Sequence, residues 1–409
     1  MYTRRLMEST LRRAARQFPV LLVTGARQVG KTTLLRRLAG KDRAYISLDD
    51  PMALRLALED PALFLQRFPP PVLIDEIQYA PGLFPHIKMA VDADREPGMF
   101  WLTGSQPFHL MKGVSESLAG RVGVMNLLGL SRREIAGTAD GRTPFLPDPE
   151  RFARDAADGV DAGLPLPELY AAIWRGSLPV MALEADMDRD HFFASYVQTY
   201  LQRDVHALTA VGDASAFLRF LRASAARTGQ LLNIALLARD ADVAPNTAKK
   251  WLSILEASGV VFLLEPYYAN GLKRLVKAPK LYFLDTGLAA YLAEWASPRT
   301  LEAGAMSGAF LETWLFGEIL KSWTHLGLRP PVYYYRDKDR KEIDLTLIRD
   351  GTAYPVEFKK TAAPDRGMAA HFGLLEKTGL HVGPGAVVAL ARQAMPLTPT
   401  VWSIPAGWL

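Results

Sequence analysis

Apolar residues recur along the first third of the chain in short runs separated by amphipathic stretches. Val20 to Thr24, Ala44 to Leu48, Val72 to Ile74, Met99 to Thr103 and Val122 to Leu128 each read as a strand, and Lys31 to Leu38 as a helix. Alternation of this kind predicts a parallel sheet covered by helices. Gly, Pro, Asp and Ala then crowd residues 137–167, which read as a linker or a mobile insertion. From Glu168 to about Ala303 the pattern is mostly helical, with a strand pair near Val260–Leu264 and Lys280–Leu284. From Gly304 the order is helix, three strands, helix, strand. The expected fold class is α/β, in three domains bounded at 1–140, 141–303 and 304–409.

Composition narrows the picture. Hydrophobic residues make up 49% and charged residues 22%, the balance of a globular chain. With no cysteine, disulfides, thiolate zinc sites and cysteine nucleophiles are excluded, and a cytoplasmic location is expected. No apolar run reaches the roughly 20 residues of a membrane span, so no membrane partner is expected. Met1 to Gln17 carries Arg4, Arg5, Arg12, Arg13 and Arg16 and reads as an amphipathic helix. A targeting peptide is disfavoured because the run feeds directly into the first strand. The net charge of +5 mildly favours an acidic partner such as nucleic acid.

The sharpest local pattern lies between the first strand and the helix after it. Gly25, Ala26, Arg27, Gln28, Val29, Gly30, Lys31 and Thr32, followed by Thr33, match G-x-x-x-x-G-K-[ST] at every fixed position. The two glycines let backbone N–H groups turn toward phosphates, and the helix N-terminus adds positive potential. Lys31 would reach the β- and γ-phosphates, and Thr32 would offer its hydroxyl to Mg²⁺. Asp75, after Val72-Leu-Ile74, would hold the same Mg²⁺, and Glu76 would orient and deprotonate the attacking water. Thr103-Gly-Ser105-Gln106 follows the fourth strand, where Ser105 is placed to sense the γ-phosphate. Arg121 precedes the next strand and would neutralise the transferred phosphoryl group, in cis or from a neighbouring subunit. The cofactors expected are ATP and Mg²⁺.

The stretches Leu21–Leu35, Leu73–Gln78 and Leu118–Arg121 resemble the bacterial and archaeal AAA-type ATPases that carry a C-terminal domain of unknown function, numbered 4143. The resemblance covers nearly the whole chain. It extends to Trp174-Arg-Gly-Ser-Leu-Pro179, Tyr200-Leu-Gln-Arg-Asp-Val205, Lys280-Leu-Tyr-Phe-Leu-Asp-Thr-Gly287 and Val356-Glu-Phe-Lys359. Ser177 stands where the family usually has a second glycine. The resemblance implies a AAA-like ATPase core, a middle winged-helix region and a C-terminal domain similar to restriction-endonuclease-like nucleases.

The middle segment reads as a winged helix from its own residues. Ile234 to Arg239 is a short helix, and Pro245 to Glu256 is a second, with Pro245 in its first turn. Ala248, Leu252 and Leu255 share one face, leaving Asn246, Thr247, Lys249, Lys250 and Ser253 elsewhere. That polar set suits a major groove, with Asn246 and Lys249 placed for base edges. Past the strand Val260–Leu264, Lys273, Arg274, Lys277 and Lys280 form a basic cluster suited to phosphates. DNA is the expected partner. A lid or a subunit joint is the competing reading of the same segment.

The last segment carries one more constellation. Glu342 to Ile348 alternates as a half-buried strand with Asp344 on the face of Glu342 and Thr346. Tyr354 to Lys359 is a second strand with Glu357 and Lys359 on one face. Paired, the two strands would join Asp344, Glu357 and Lys359 into the D…E-x-K set of Mg²⁺-dependent nucleases, with Glu312 of the helix Gly308–Ser322 as a fourth member. Two alternatives stand beside it: a catalytically silent fold, or a buried ion-pair network. The whole-chain expectation is an ATP-hydrolysing, oligomeric DNA-acting protein, a ring among its forms and branched DNA among its substrates. The alternative is an ATP-operated switch or toxin-like module whose C-terminal domain binds partners without cutting.

Overall fold

The computed structural model describes residues 2–105, 114, 117–138, 143–159, 164–200, 214–268 and 278–409. Lys273, Arg274, Lys277, Gln106 and the motif 201–205 lie outside the described residues. No helix among those described is long and apolar enough to cross a membrane.

The first sheet has five parallel strands: β1 (Val20–Thr24), β2 (Ala44–Ser47), β3 (Val72–Asp75), β4 (Phe100–Gly104) and β5 (Val122–Asn126). Their order is β2-β3-β4-β1-β5. Strand alternation divides β1 between two cores. Val20 and Leu22 join Leu48, Ile74 and Phe84 on one face, while Leu21 and Val23 face the rest of the molecule. This is the parallel sheet of a P-loop ATPase domain.

The middle segment is helical around a small antiparallel sheet, β6 (Gln230–Leu231), β7 (Val261–Leu264) and β8 (Lys280–Phe283), ordered β6-β8-β7. The helix Pro245–Ala257 starts on its proline and buries Ala248, Trp251, Leu252, Ile254 and Leu255. Trp251 sets its ring edge-on to Phe217 and Phe220 of the helix Ala214–Ala225.

The C-terminal segment packs the helix Ser307–Thr324 against a mixed sheet. Its strands are β9 (Val332–Arg336), β10 (Glu342–Arg349), β11 (Thr352–Lys359), β12 (His381–Val382), β13 (Gly385–Ala389), β14 (Met395–Pro396) and β15 (Val401–Pro405). Neighbours run β14-β15-β13-β11-β10-β9, with β12 beside β11. The helix expected after the third strand is instead two 3-10 stretches, Arg366–Ala369 and Phe372–Thr378. Glycines at 367, 373 and 379 interrupt that segment and disfavour an α-helix.

The three regions are not beads on a string. One continuous core runs from Met7 and Leu11 through Tyr170, Phe217 and Leu281 to Phe316, Val356 and Ile404. The segment 137–167 differs from a plain linker. Within its described part, the helix Pro149–Ala157 buries Phe152 against Trp402 and Trp408 of the C-terminal segment. Backbone pairing also crosses a boundary: Tyr334 of β9 donates to the Glu265 carbonyl and accepts from the Tyr267 amide, at 3.1 and 2.8 Å.

Candidate functional site

The phosphate loop leaves β1 and enters the helix Lys31–Ala39, as its pattern requires. Gly25, Gln28 and Gly30 hold φ of 143°, 60° and 93°. A Cβ on Gly25 would stand 2.1 Å from the Leu127 carbonyl oxygen, so only glycine fits. Lys31 is buried, and its Nζ donates to the Gly25 and Ala26 carbonyls at 3.1 and 2.9 Å.

Strand order then builds the rest of the site. β4 lies between β1 and β3, so the ends of all three strands open on one side. Thr32 donates its hydroxyl to Asp75, 2.8 Å from Oδ1 and 3.0 Å from Oδ2. Thr103 also donates to Asp75, as does the Tyr45 hydroxyl at 3.1 Å. Glu76 turns in left-handed backbone, φ 58°, which ends the strand and swings its carboxylate aside. There it accepts from Ser105 Oγ at 3.1 Å and from the Gln78 amide. Gln78 in turn donates to Ser105 at 3.2 Å.

These residues fit a magnesium nucleotide. The donor set for a hard cation is a hydroxyl beside a carboxylate, Thr32 and Asp75. The ammonium of Lys31 rests on loop carbonyls in a glycine-bent cradle. Gln78, Thr103 and Tyr45 were not singled out from sequence as site residues. Thr103 and Tyr45 reach Asp75 only through strand order, which no local pattern carries. Gln78 had a signal, two positions after Glu76.

Arg121 is placed elsewhere. Its carbonyl accepts from the Val20 amide at the start of β1, and its guanidinium pairs with Asp92 at 2.6 Å. The five residues of β1 therefore separate it from the loop by roughly 16 Å. A role in cis does not fit that position.

Two of the shared motifs meet behind the loop. Asp285 caps the helix Thr286–Leu292 and accepts from the Ser177 amide and hydroxyl at 2.6 and 2.9 Å. A Cβ on Gly176 would strike that carboxylate at 2.4 Å. Gly259, just past the helix Pro245–Ala257, lies against the phosphate loop, its Cβ position 3.4 Å from the Ala26 nitrogen. At the other end of that helix Asn246, Lys249 and Lys250 are exposed.

The C-terminal constellation does come together. The β10–β11 register pairs Leu345 with Val356, which sets Asp344 beside Glu357. Phe358 donates its amide to Asp344 at 3.0 Å, and Lys359 donates to Glu357 at 2.6 Å. Glu312 joins them from the helix Ser307–Thr324. The unforeseen member is Lys280 of β8. Its Nζ lies 2.7 Å from Glu342, 3.0 Å from Glu312 and 3.6 Å from Asp344. Reading Lys280 as part of an exposed phosphate-binding cluster is therefore corrected: it is 3% exposed, inside a strand whose four residues are all buried. Burial and the Asp344 charge push the Glu312 carboxyl up to about 7, against the pull of Lys280. Burial, then Asp344, push Glu357 up to about 7 as well.

Residues 17–136 match the family described as AAA domain, residues 166–299 a domain of unknown function (DUF8612), and residues 307–409 a domain of unknown function (DUF4143). The chain is 34% identical over 408 residues to the uncharacterized protein Rv2008c of Mycobacterium tuberculosis, covering 98% of this chain and 83% of that protein. The same figures hold for Mb2031c of Mycobacterium bovis. Among solved structures it is similar to the Walker-type ATPase PABY2304 of Pyrococcus abyssi, at 15% identity and a TM-score of 0.43 over 70% of this chain and 94% of that one. RuvB of Thermotoga maritima is similar at 18% identity and a TM-score of 0.30, over 63% and 86%.

Proposed function

We propose a function from one premise: the chain belongs to the AAA-type ATPases that carry a C-terminal domain of unknown function 4143. In this reading it binds magnesium ATP, hydrolyses it, and passes the cycle to a winged-helix segment that contacts DNA. Thr32 and Asp75 would hold Mg²⁺, which supplies charge neutralisation at the phosphates. Glu76, held by Ser105 and Gln78, orients and deprotonates water. Lys31 leaves the loop carbonyls for the phosphates.

The observation that carries the proposal is the helix Pro245–Ala257. One end presents Asn246, Lys249 and Lys250 to solvent, and the other runs into Gly259 against Ala26 of the phosphate loop. A rod of about 20 Å thus joins a basic surface to the nucleotide cradle. The helix–strand–helix–helix–strand–strand order around it supports a winged helix. In this reading Arg121, remote from its own loop, would act on the nucleotide of a neighbouring subunit in a homo-oligomer. ATPase rate measured with duplex and branched DNA tests this. Stimulation is expected; no DNA binding from low to moderate salt overturns it.

One observation favours the second reading, an ATP-operated switch whose C-terminal domain does not cut. The acidic constellation there already holds three protein cations, Lys280, Lys359 and Arg336.

A further inference from the structure

The Asp344–Glu357–Lys359 set has the residues of a metal-dependent site, but a protein cation already stands among them. The Lys280 ammonium contacts Glu342, Glu312 and Asp344, and all three carboxylates belong to the C-terminal segment. The lysine comes from β8 of the middle segment. It is not there by loose fit. β8 is bonded to β7, and the Lys280 ammonium also lies 5.8 Å from the centre of the buried Tyr334 ring. The neighbouring Tyr282 stacks on Phe316 at 4.3 Å and donates its hydroxyl to Glu312 at 2.6 Å.

We propose that Lys280 is a built-in counter-cation that closes the acidic constellation of the C-terminal segment to divalent metal. The charges argue for it. Four carboxylates, Glu312, Glu342, Asp344 and Glu357, meet three cations, Lys280, Arg336 and Lys359. The cluster thus supplies most of its own positive charge from side chains already in contact with it. Space argues the same way. Mg²⁺ or Mn²⁺ must sit about 2.1 Å from its oxygen ligands. On the Glu312, Glu342 and Asp344 oxygens that position overlaps the ground held by the ammonium, with like charges in a buried place. The cluster thus works as an ionic joint between β8 and the sheet β9–β10–β11, and cleavage chemistry would need the joint to open first.

The test uses the full chain without nucleotide or DNA, so it does not depend on the DNA reading. An Asp75→Asn background removes the carboxylate of the nucleotide site. Mn²⁺ uptake is followed by loss of the free-ion electron spin resonance signal. Asp344→Asn is expected to leave the uptake of the Lys280-bearing protein unchanged. Lys280→Met is expected to tighten uptake roughly tenfold or more, and adding Asp344→Asn should abolish the gain. An Asp344-dependent Mn²⁺ site with Lys280 present overturns the proposal, as does a folded Lys280→Met protein that gains nothing. If Lys280→Met does not fold, the Asp344→Asn comparison decides alone.

Discussion

Arg5 donates from Nη1 to the Val29 carbonyl at 2.9 Å, so a residue ahead of the first strand grips the phosphate loop from behind. The same guanidinium donates to Leu128 at 2.7 Å and to the buried Glu134 at 3.1 Å. His325, at the end of the long C-terminal helix, lies 3.3 Å from that carboxylate. Arg5 and Glu134 together therefore join the loop, the segment after β5 and the C-terminal region.

Arg5→Ala should destabilise the fold by about 3–5 kcal/mol, because it strands the Glu134 carboxylate in the core. Nucleotide affinity should fall with it. Arg5→Lys should recover little, since an ammonium cannot span three acceptors in a fork. Denaturant unfolding and nucleotide titration on the same samples check both parts.

Lys31→Ala should abolish nucleotide binding, and retained tight ATP affinity would sink the assignment of the loop. Glu76→Gln should keep binding while turnover drops roughly 100- to 10,000-fold. A fluorescent nucleotide titration beside a phosphate-release assay separates the two effects.

If the helix Pro245–Ala257 contacts DNA as proposed, Lys249→Ala with Lys250→Ala should weaken that binding across all sequences alike. The slope of log affinity against log salt should become shallower by about 2. Asn246→Ala should instead blunt preference among duplex sequences. Anisotropy titrations at several salt concentrations distinguish a phosphate contact from a base contact.

Stability should depend on pH through Glu312. Its folded value near 7 lies above the ordinary 4.5, so the folded state favours the protonated form. That contribution is complete below pH 4.5 and is lost as pH rises to about 7, on the order of 3 kcal/mol. His325 works in the opposite sense: burial holds its imidazole below the ordinary value, so stability falls as it protonates on acidification. Thermal unfolding of wild type and Glu312→Gln at matched pH isolates the carboxylate. Parallel profiles between pH 4.5 and 7 would exclude it.

The nucleotide site was legible because its chemistry is contiguous. Gly25 to Thr32 must bend and bind within eight residues, and Asp75 follows directly from an apolar strand. The carboxylates of the C-terminal sheet were legible for a similar reason, since period-2 alternation fixes which faces Asp344, Glu357 and Lys359 share. Lys280 was not. A lysine closing a run of basic residues looks like a solvated wing, and its burial depends on a helix that begins 27 positions later, at Ser307. Arg5 escaped likewise: five arginines in one amphipathic run look alike until the loop carbonyl they approach is known. Composition over 137–167 could not show that Phe152 meets Trp402 and Trp408 across more than 200 residues of chain.

The hydrogen bonds of Tyr334 to Glu265 and Tyr267 bear on how the C-terminal sheet is kept from sticking to other copies of itself. β9 ends the sheet, and its outer backbone would be a template for strand addition. Chain arriving from β7 caps that rim. A fragment begun at residue 307 would bare the rim and lose Lys280 in one cut. It would be expected to self-associate through a surface that the intact protein never presents.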